Sequence, residues 1–206
     1  MTVILGSPTV RTSVAFDGNY PGSGLAYLEL RGSAGSTATI DQSSNRMSVA
    51  DMWLGTVAGS SGAYHISGGS LVATGDSCYV GAEGTGVMSI SGGSVTTNNL
   101  DVGFNVGSSG TITQSNGTLT IPGGYSLNLG YTSGATGTYN LNGGSVTLAD
   151  GAFVGGRYLP FGTGVLNITN GSLTAGQFIG VRDTPGTAIN LSAGTLVAGN
   201  MSTSGN

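Results

Sequence analysis

Residues able to do acid–base or metal chemistry are few in this chain, and they are scattered. Nine carboxylates, Asp17, Glu29, Asp41, Asp51, Asp76, Glu83, Asp101, Asp150 and Asp183, are spread over 206 residues, with one histidine, His65, and one cysteine, Cys78. A glycosidase or lyase needs acids gathered on neighbouring segments, as an acid/base pair or as Ca²⁺ ligands. Asp101 and Glu83 come nearest to such a pair. Asp51, Asp76 and Asp150 fall near turns, where Asp is expected as a turn former. His65 takes an outward strand position with no fixed acid or nucleophile partner. Cys78 reads as a small buried hydrophobe, and a single cysteine makes neither an intrachain disulfide nor a multi-cysteine metal site. The calcium nonapeptide GGxGxD is missing, and the GTGV segments at Gly84 and Gly162 lack the strand–helix setting of a phosphate cradle. The expectation is a non-enzyme with no catalytic residue, no cofactor and no metal.

Recognition chemistry is better represented. An aliphatic–Gly pair recurs at Leu54, Val80, Val102, Leu129, Val154 and Ile179, spaced 26, 22, 27, 25 and 25 residues apart. The residue before each is Trp53, Tyr79, Asp101, Asn128, Phe153 and Phe178. If stacked, these give two aromatic pairs on one face with a polar gap between them. Such a face packs a subunit, stacks on itself, or binds sugar rings. Thr96, Thr120, Thr147 and Thr174 form a second outward column, of the kind an ice-binding or ligand-binding face would use. Exposed threonine also simply suits a strand. Asn140, Asn167 and Asn190 read as a stacking ladder. Gly155 to Gly162 concentrates Arg157, Tyr158 and Phe161, with Arg182 and Asp183 one repeat later. Arg and Tyr favour interface centres, which makes this loop the first choice for a contact patch.

These residues are positioned by a repeat. ISGGSLVAT at Ile66 returns as ISGGSVTTN at Ile90, QSNGTLTIP at Gln114, LNGGSVTLA at Leu141, ITNGSLTAG at Ile168 and LSAGTLVAG at Leu191. The spacings are 24, 24, 27, 27 and 23 residues, the signature of stacked supersecondary units. Strand alternation predicts three inward columns. The first is Met52, Cys78, Leu100, Leu127 and Ala152. The second is Tyr64, Met88, Ile112, Tyr139, Leu166 and Ile189. The third is Leu71, Val95, Leu119, Val146, Leu173 and Leu196. Gly69, Gly93, Gly117, Gly144, Gly171 and Gly194 mark a corner that requires φ > 0. A degenerate early coil is expected over 30–53, with Ile40 in the place of Ile66. The fold class is all-β: a right-handed parallel β-helix, or β-solenoid, of about seven coils of ~25 residues. Residues 1–29 depart from the repeat and read as a cap or attachment arm; residues 30–206 are the solenoid domain.

Composition agrees. Glycine is 40 of 206 residues, yet charged residues are 7% and hydrophobic ones 38%, which favours ordered turns over disorder. Five arginines, no lysine and a net charge of −4 leave no basic stripe for nucleic acid and no polybasic membrane patch. No apolar run is long enough to cross a membrane as a helix. The N-terminus lacks the basic and apolar regions of a secretory signal.

The x-Gly-Gly-Ser-[Leu/Val]-Thr and [Val/Leu/Ile]-Gly units, over roughly residues 50 to 200, resemble the Gly-rich β-solenoid repeats of autotransporter passengers and related bacterial and phage surface proteins of the pectate-lyase-like type. Nothing in these 206 residues reads as a sorting tail, membrane barrel or leader. The resemblance implies an adhesive or structural role and no active site. The expected function is a virion surface subunit, a capsid decoration or tail appendage, that forms homo-oligomers or docks on a larger particle. A secreted adhesin or filament subunit is the alternative, with an ice-binding protein or polysaccharide-active enzyme behind it. The expected location is a virion surface or the extracellular space, with protein subunits as partners and glycan as a further one.

Overall fold

The computed structural model describes residues 2–5, 25–32 and 35–204, and they form a parallel β-solenoid of about seven turns. The residues from Gly6 to Gly24, including Arg11 and most of the expected cap or arm, lie outside the described residues. Three stacks of strands run along the rod. One is a seven-stranded sheet of Thr37–Gln42, Ser61–Ile66, Thr85–Ile90, Ser109–Gln114, Thr136–Leu141, Thr163–Ile168 and Ala188–Leu191. The other two belong to one thirteen-stranded sheet. They are joined there because Arg46–Leu54, Ser70–Val80 and Ser94–Val102 each bend round a corner as one long strand. The register slips at that corner between Val49 and Met52, and again between Ala73 and Ser77. Further along, a turn divides each piece in two, as at Thr118–Ile121 and Ser126–Leu129, where Pro122, Gly123 and Gly124 interrupt the ladder. Early coils therefore hold two extended pieces where three separate ones were expected.

The inward columns stand in register as alternation requires. Met52, Cys78, Leu100, Leu127 and Ala152 are cross-strand neighbours and fully buried. The second and third columns pair in the same way from Tyr64 to Ile189 and from Leu71 to Leu196. Cover thins at the final coil, where Ile189 and Leu196 are only partly buried.

The corner glycines all take φ between 71° and 89°. In the earliest coil that position belongs to Asn45 (φ 60°), the residue type that best tolerates this region after glycine. A second glycine column answers a different need. A Cβ on Gly86 would lie 2.0 Å from the Gly81 nitrogen, and one on Gly164 would lie 2.3 Å from the Gly155 nitrogen. The GTGV segments are therefore places where one stretch of backbone passes close to another.

Two register expectations are corrected. Ile40 pairs with Tyr64, and it is Gln42 that takes the place of Ile66. The last aliphatic anchor is Val181, which pairs with Val154, while Ile179 pairs with Ala152. The corner from Ala175 to Phe178 is as long as that from Leu148 to Gly151, so Phe178 falls beside Gly151.

The Gln42 substitution in the core is compensated. Tyr64 donates its hydroxyl hydrogen bond to Gln42 Oε1, while Gln42 Nε2 donates to the carbonyls of Asn45 (3.1 Å) and Ser70 (3.0 Å). The device recurs with Tyr139 on Gln114 (2.5 Å), and Gln114 Nε2 on the carbonyls of Gly117 (3.1 Å) and Ser145 (3.2 Å). The side-chain polar atoms of these two tyrosines and two glutamines thereby keep partners.

Candidate functional site: an aromatic rail on the rod

Six rings stand in single file along the outside of the rod. Ring centroids lie 6.0 Å apart from Tyr27 to Trp53, 5.7 Å from Trp53 to Tyr79 and 4.4 Å from Tyr79 to Phe104. Phe104 to Tyr131 is 4.8 Å and Tyr131 to Tyr158 is 5.9 Å. The expected polar gap at Asp101 and Asn128 is bridged. Coils with an aromatic before the anchor (Trp53, Tyr79) carry a small residue after its glycine (Thr56, Ala82). Coils with Asp101 or Asn128 before it carry Phe104 or Tyr131 after it. The ring moves round the corner, and the file continues. This reciprocal exchange was the sequence signal for Phe104 and Tyr131, one not visible in either column taken alone.

The exchange buries what it steps over. Asp101 and Asn128 are 4% and 1% exposed, and Asn128 Nδ2 donates to Asp101 Oδ1 at 2.6 Å. Burial pushes the Asp101 carboxyl up to about 7, against the opposing pull of the Asn128 hydrogen bond and the Arg157 charge. Burial, chiefly, also raises the phenols of Tyr79 and Tyr131, and the Asp101 charge adds to it. Glu83 is exposed in a turn, its amide donating to the Gly55 carbonyl, and the charge that bears on Asp101 is that of Arg157. Asp101 and Glu83 thus occupy opposite environments.

The rail ends in an arginine cluster. Arg157 lies over the rings of Phe153 (5.6 Å) and Tyr158 (5.3 Å); Arg182 lies over Phe153 (5.3 Å) and Phe161 (4.6 Å). Arg182 Nε donates to the Gly156 carbonyl at 3.0 Å, Nη2 to that of Arg157 at 3.5 Å, and Nη1 to Ser204 Oγ, which pins the loop. Phe178 contacts Phe153 at 4.8 Å from one step aside. A cavity lined by Val181, Arg182, Asp183, Thr187 and Thr203 opens beside this cluster. Contact residues expected from both the aromatic column and the Arg157 loop thus meet in one place.

Comparisons with protein families, with curated proteins and with solved structures each find no match.

Other expected residues fall elsewhere on the rod. Thr96, Thr120, Thr147 and Thr174 stand in one register column, between Val72 and Val197. Asn140, Asn167 and Asn190 form a ladder linked by 2.8 Å amide hydrogen bonds. Asp51 Oδ1 accepts from the Ser77 amide (3.0 Å) and Asp150 Oδ2 from the Gly124 amide (2.8 Å), so both carboxylates brace a corner of the neighbouring coil. Cys78 is buried, and its thiol is pushed up to about 12, chiefly by that burial. His65 does acquire neighbours: Asp41 on one side and Ser89 on the other. They occupy an outward column of the seven-stranded sheet, and no hydrogen bond or ion pair joins His65 to either among the described residues. Among the described residues no three metal-ligating side chains converge.

Proposed function

We propose that this chain is a non-enzymatic structural and attachment protein, a rigid rod that serves as a subunit of a larger surface assembly such as the decoration of a virion. The carrying observation is how side chains are divided. The interior is filled by stacked, mainly aliphatic columns, while six rings and two arginines line one corner of the exterior. Every coil is hydrogen-bonded to its neighbours by parallel ladders, which suits display of a fixed surface. Analytical ultracentrifugation over a range of concentrations tests the reading. A self-associating species is expected, and a chain that stays monomeric at every concentration would refute the subunit role.

A further inference from the structure

We infer that the rail is the face on which two copies of this chain pair, as antiparallel rods related by a two-fold axis through the middle of the rail. The inference rests on the subunit reading above and makes the partner a second copy.

Apolar exposure is the first reason. Tyr27, Trp53 and Tyr158 are exposed on the rail, and Val57, Val106 and Leu159 are exposed in the loops that follow the aliphatic anchors beside it. The other exposed large apolar side chains among the described residues, Leu191, Val197 and Met201, belong to the final coil. The strip therefore joins rings to aliphatic loop tips, with arginine at one end, which is the composition of an interface centre. Apolar exposure gathered in this way marks a contact face.

Charge selects the occupant. At the early end Glu29 stands in register with Trp53, and Asp51 with Tyr27. Asp76 is exposed three residues before Tyr79, and Glu83 is exposed in the loop after Val80. After burial, the charges of Asp101, Asp51 and Asp76 raise the Tyr79 phenol, so these carboxylates lie close to the rail. Arg31, paired with Glu29 at 3.5 Å, offsets only part of this charge. The far end reverses the sign. Arg157 is exposed over the rings of Phe153 and Tyr158 and in no ion pair with a carboxylate among the described residues. Arg182 lies beside it, followed in the chain by Asp183. Asp101, in the middle, is buried and does not face a partner.

A strip that is acidic at one end and basic at the other is complementary to itself turned end for end, as a two-fold contact requires. Parallel rods would set like charges together. With six rungs, the axis falls between Tyr79 and Phe104. Tyr27 then faces Tyr158 of the second copy, and Trp53 faces its Tyr131. Six rungs at about 4.8 Å per coil span about 24 Å. A strip of that length falls short of the roughly 800 Å² per side of a standard interface, so the pair is weak and concentration-dependent.

Sedimentation of the full chain over a range of concentrations, at low and high salt, is the test. A dimer is expected, and it should weaken as salt rises because opposite charges meet across the axis. Each substitution enters a two-fold contact twice. Val106→Asp and Arg157→Glu should therefore each weaken dimerisation by about a hundredfold, about tenfold per copy. Arg46→Gln, an exposed arginine in register with Ser70 away from the rail, should leave it unchanged. Circular dichroism checks that the variants are folded, and Val106, at an exposed loop tip, gives a variant that spares the core. A dimer that Arg157→Glu leaves as strong would overturn the antiparallel pairing, as would one that strengthens with salt. Assembly that ignores Val106→Asp sinks only this inference, whereas a chain monomeric at every concentration sinks the subunit role with it.

Discussion

The coils of Trp53 and Tyr79 and the coils of Phe104 and Tyr131 contribute rungs to one rail from opposite sides of a corner. In the first pair the ring precedes the aliphatic anchor, and the position after the glycine holds Thr56 or Ala82. In the second it follows the anchor, and the vacated position holds Asp101 or Asn128 under cover. The surface is continuous, but it is the second pair that fully buries a carboxyl, Asp101. The same outer shape has therefore been reached with and without an electrostatic cost, and that cost can be titrated.

Asp101→Asn should show the largest effect. A carboxyl raised from 3.8 to about 7 on folding gives the native state the greater proton affinity. Its contribution to stability is full below about pH 4 and is lost as pH rises through about 7. At pH 8 the variant should be more stable than wild type by up to about 4 kcal/mol, and near pH 4 the advantage should vanish. Urea midpoints at the two pH values measure this; a pH-independent difference would refute the buried-acid account.

Phe104→Ala comes next, with a loss of about 2–3 kcal/mol at pH 5 for a large ring removed from a half-buried site. It should also flatten the pH dependence, because water then reaches Asp101. Trp53→Ala, in the other half and two strands from Asp101, should leave that dependence in place. Asn128→Ala removes the hydrogen bond that favours the ionised form, so the Asp101 midpoint should move above 7 by carboxyl NMR titration. Trp53→Ala should be the mildest, at about 1 kcal/mol, since the ring is 37% exposed.

The three inward columns and the corner glycines are legible in the sequence because alternation and positive φ are local demands that recur in each coil. Only parts of the rail are. Trp53 and Tyr79 share one position, whereas Phe104 and Tyr131 answer a vacancy in their own coil, which shows only when two columns are compared. In the last coil Ile179 is followed by glycine, like a true anchor, although corner length puts Val181 there. Alternation turns Tyr64 and Tyr139 inward but does not name their partners, because the glutamines lie one coil back.

Those two tyrosine–glutamine pairs bear on how the stack is assembled. Near-identical repeats raise an addressing problem, because a coil could pair as well with its neighbour's neighbour as with its neighbour. Gln42 with Tyr64 and Gln114 with Tyr139 break the degeneracy. A stack that skipped a coil would strand a phenol and an amide in the core, at about 1–3 kcal/mol for each group. Two polar couples, spaced along an otherwise interchangeable series, thus act as serial numbers for the coils they join.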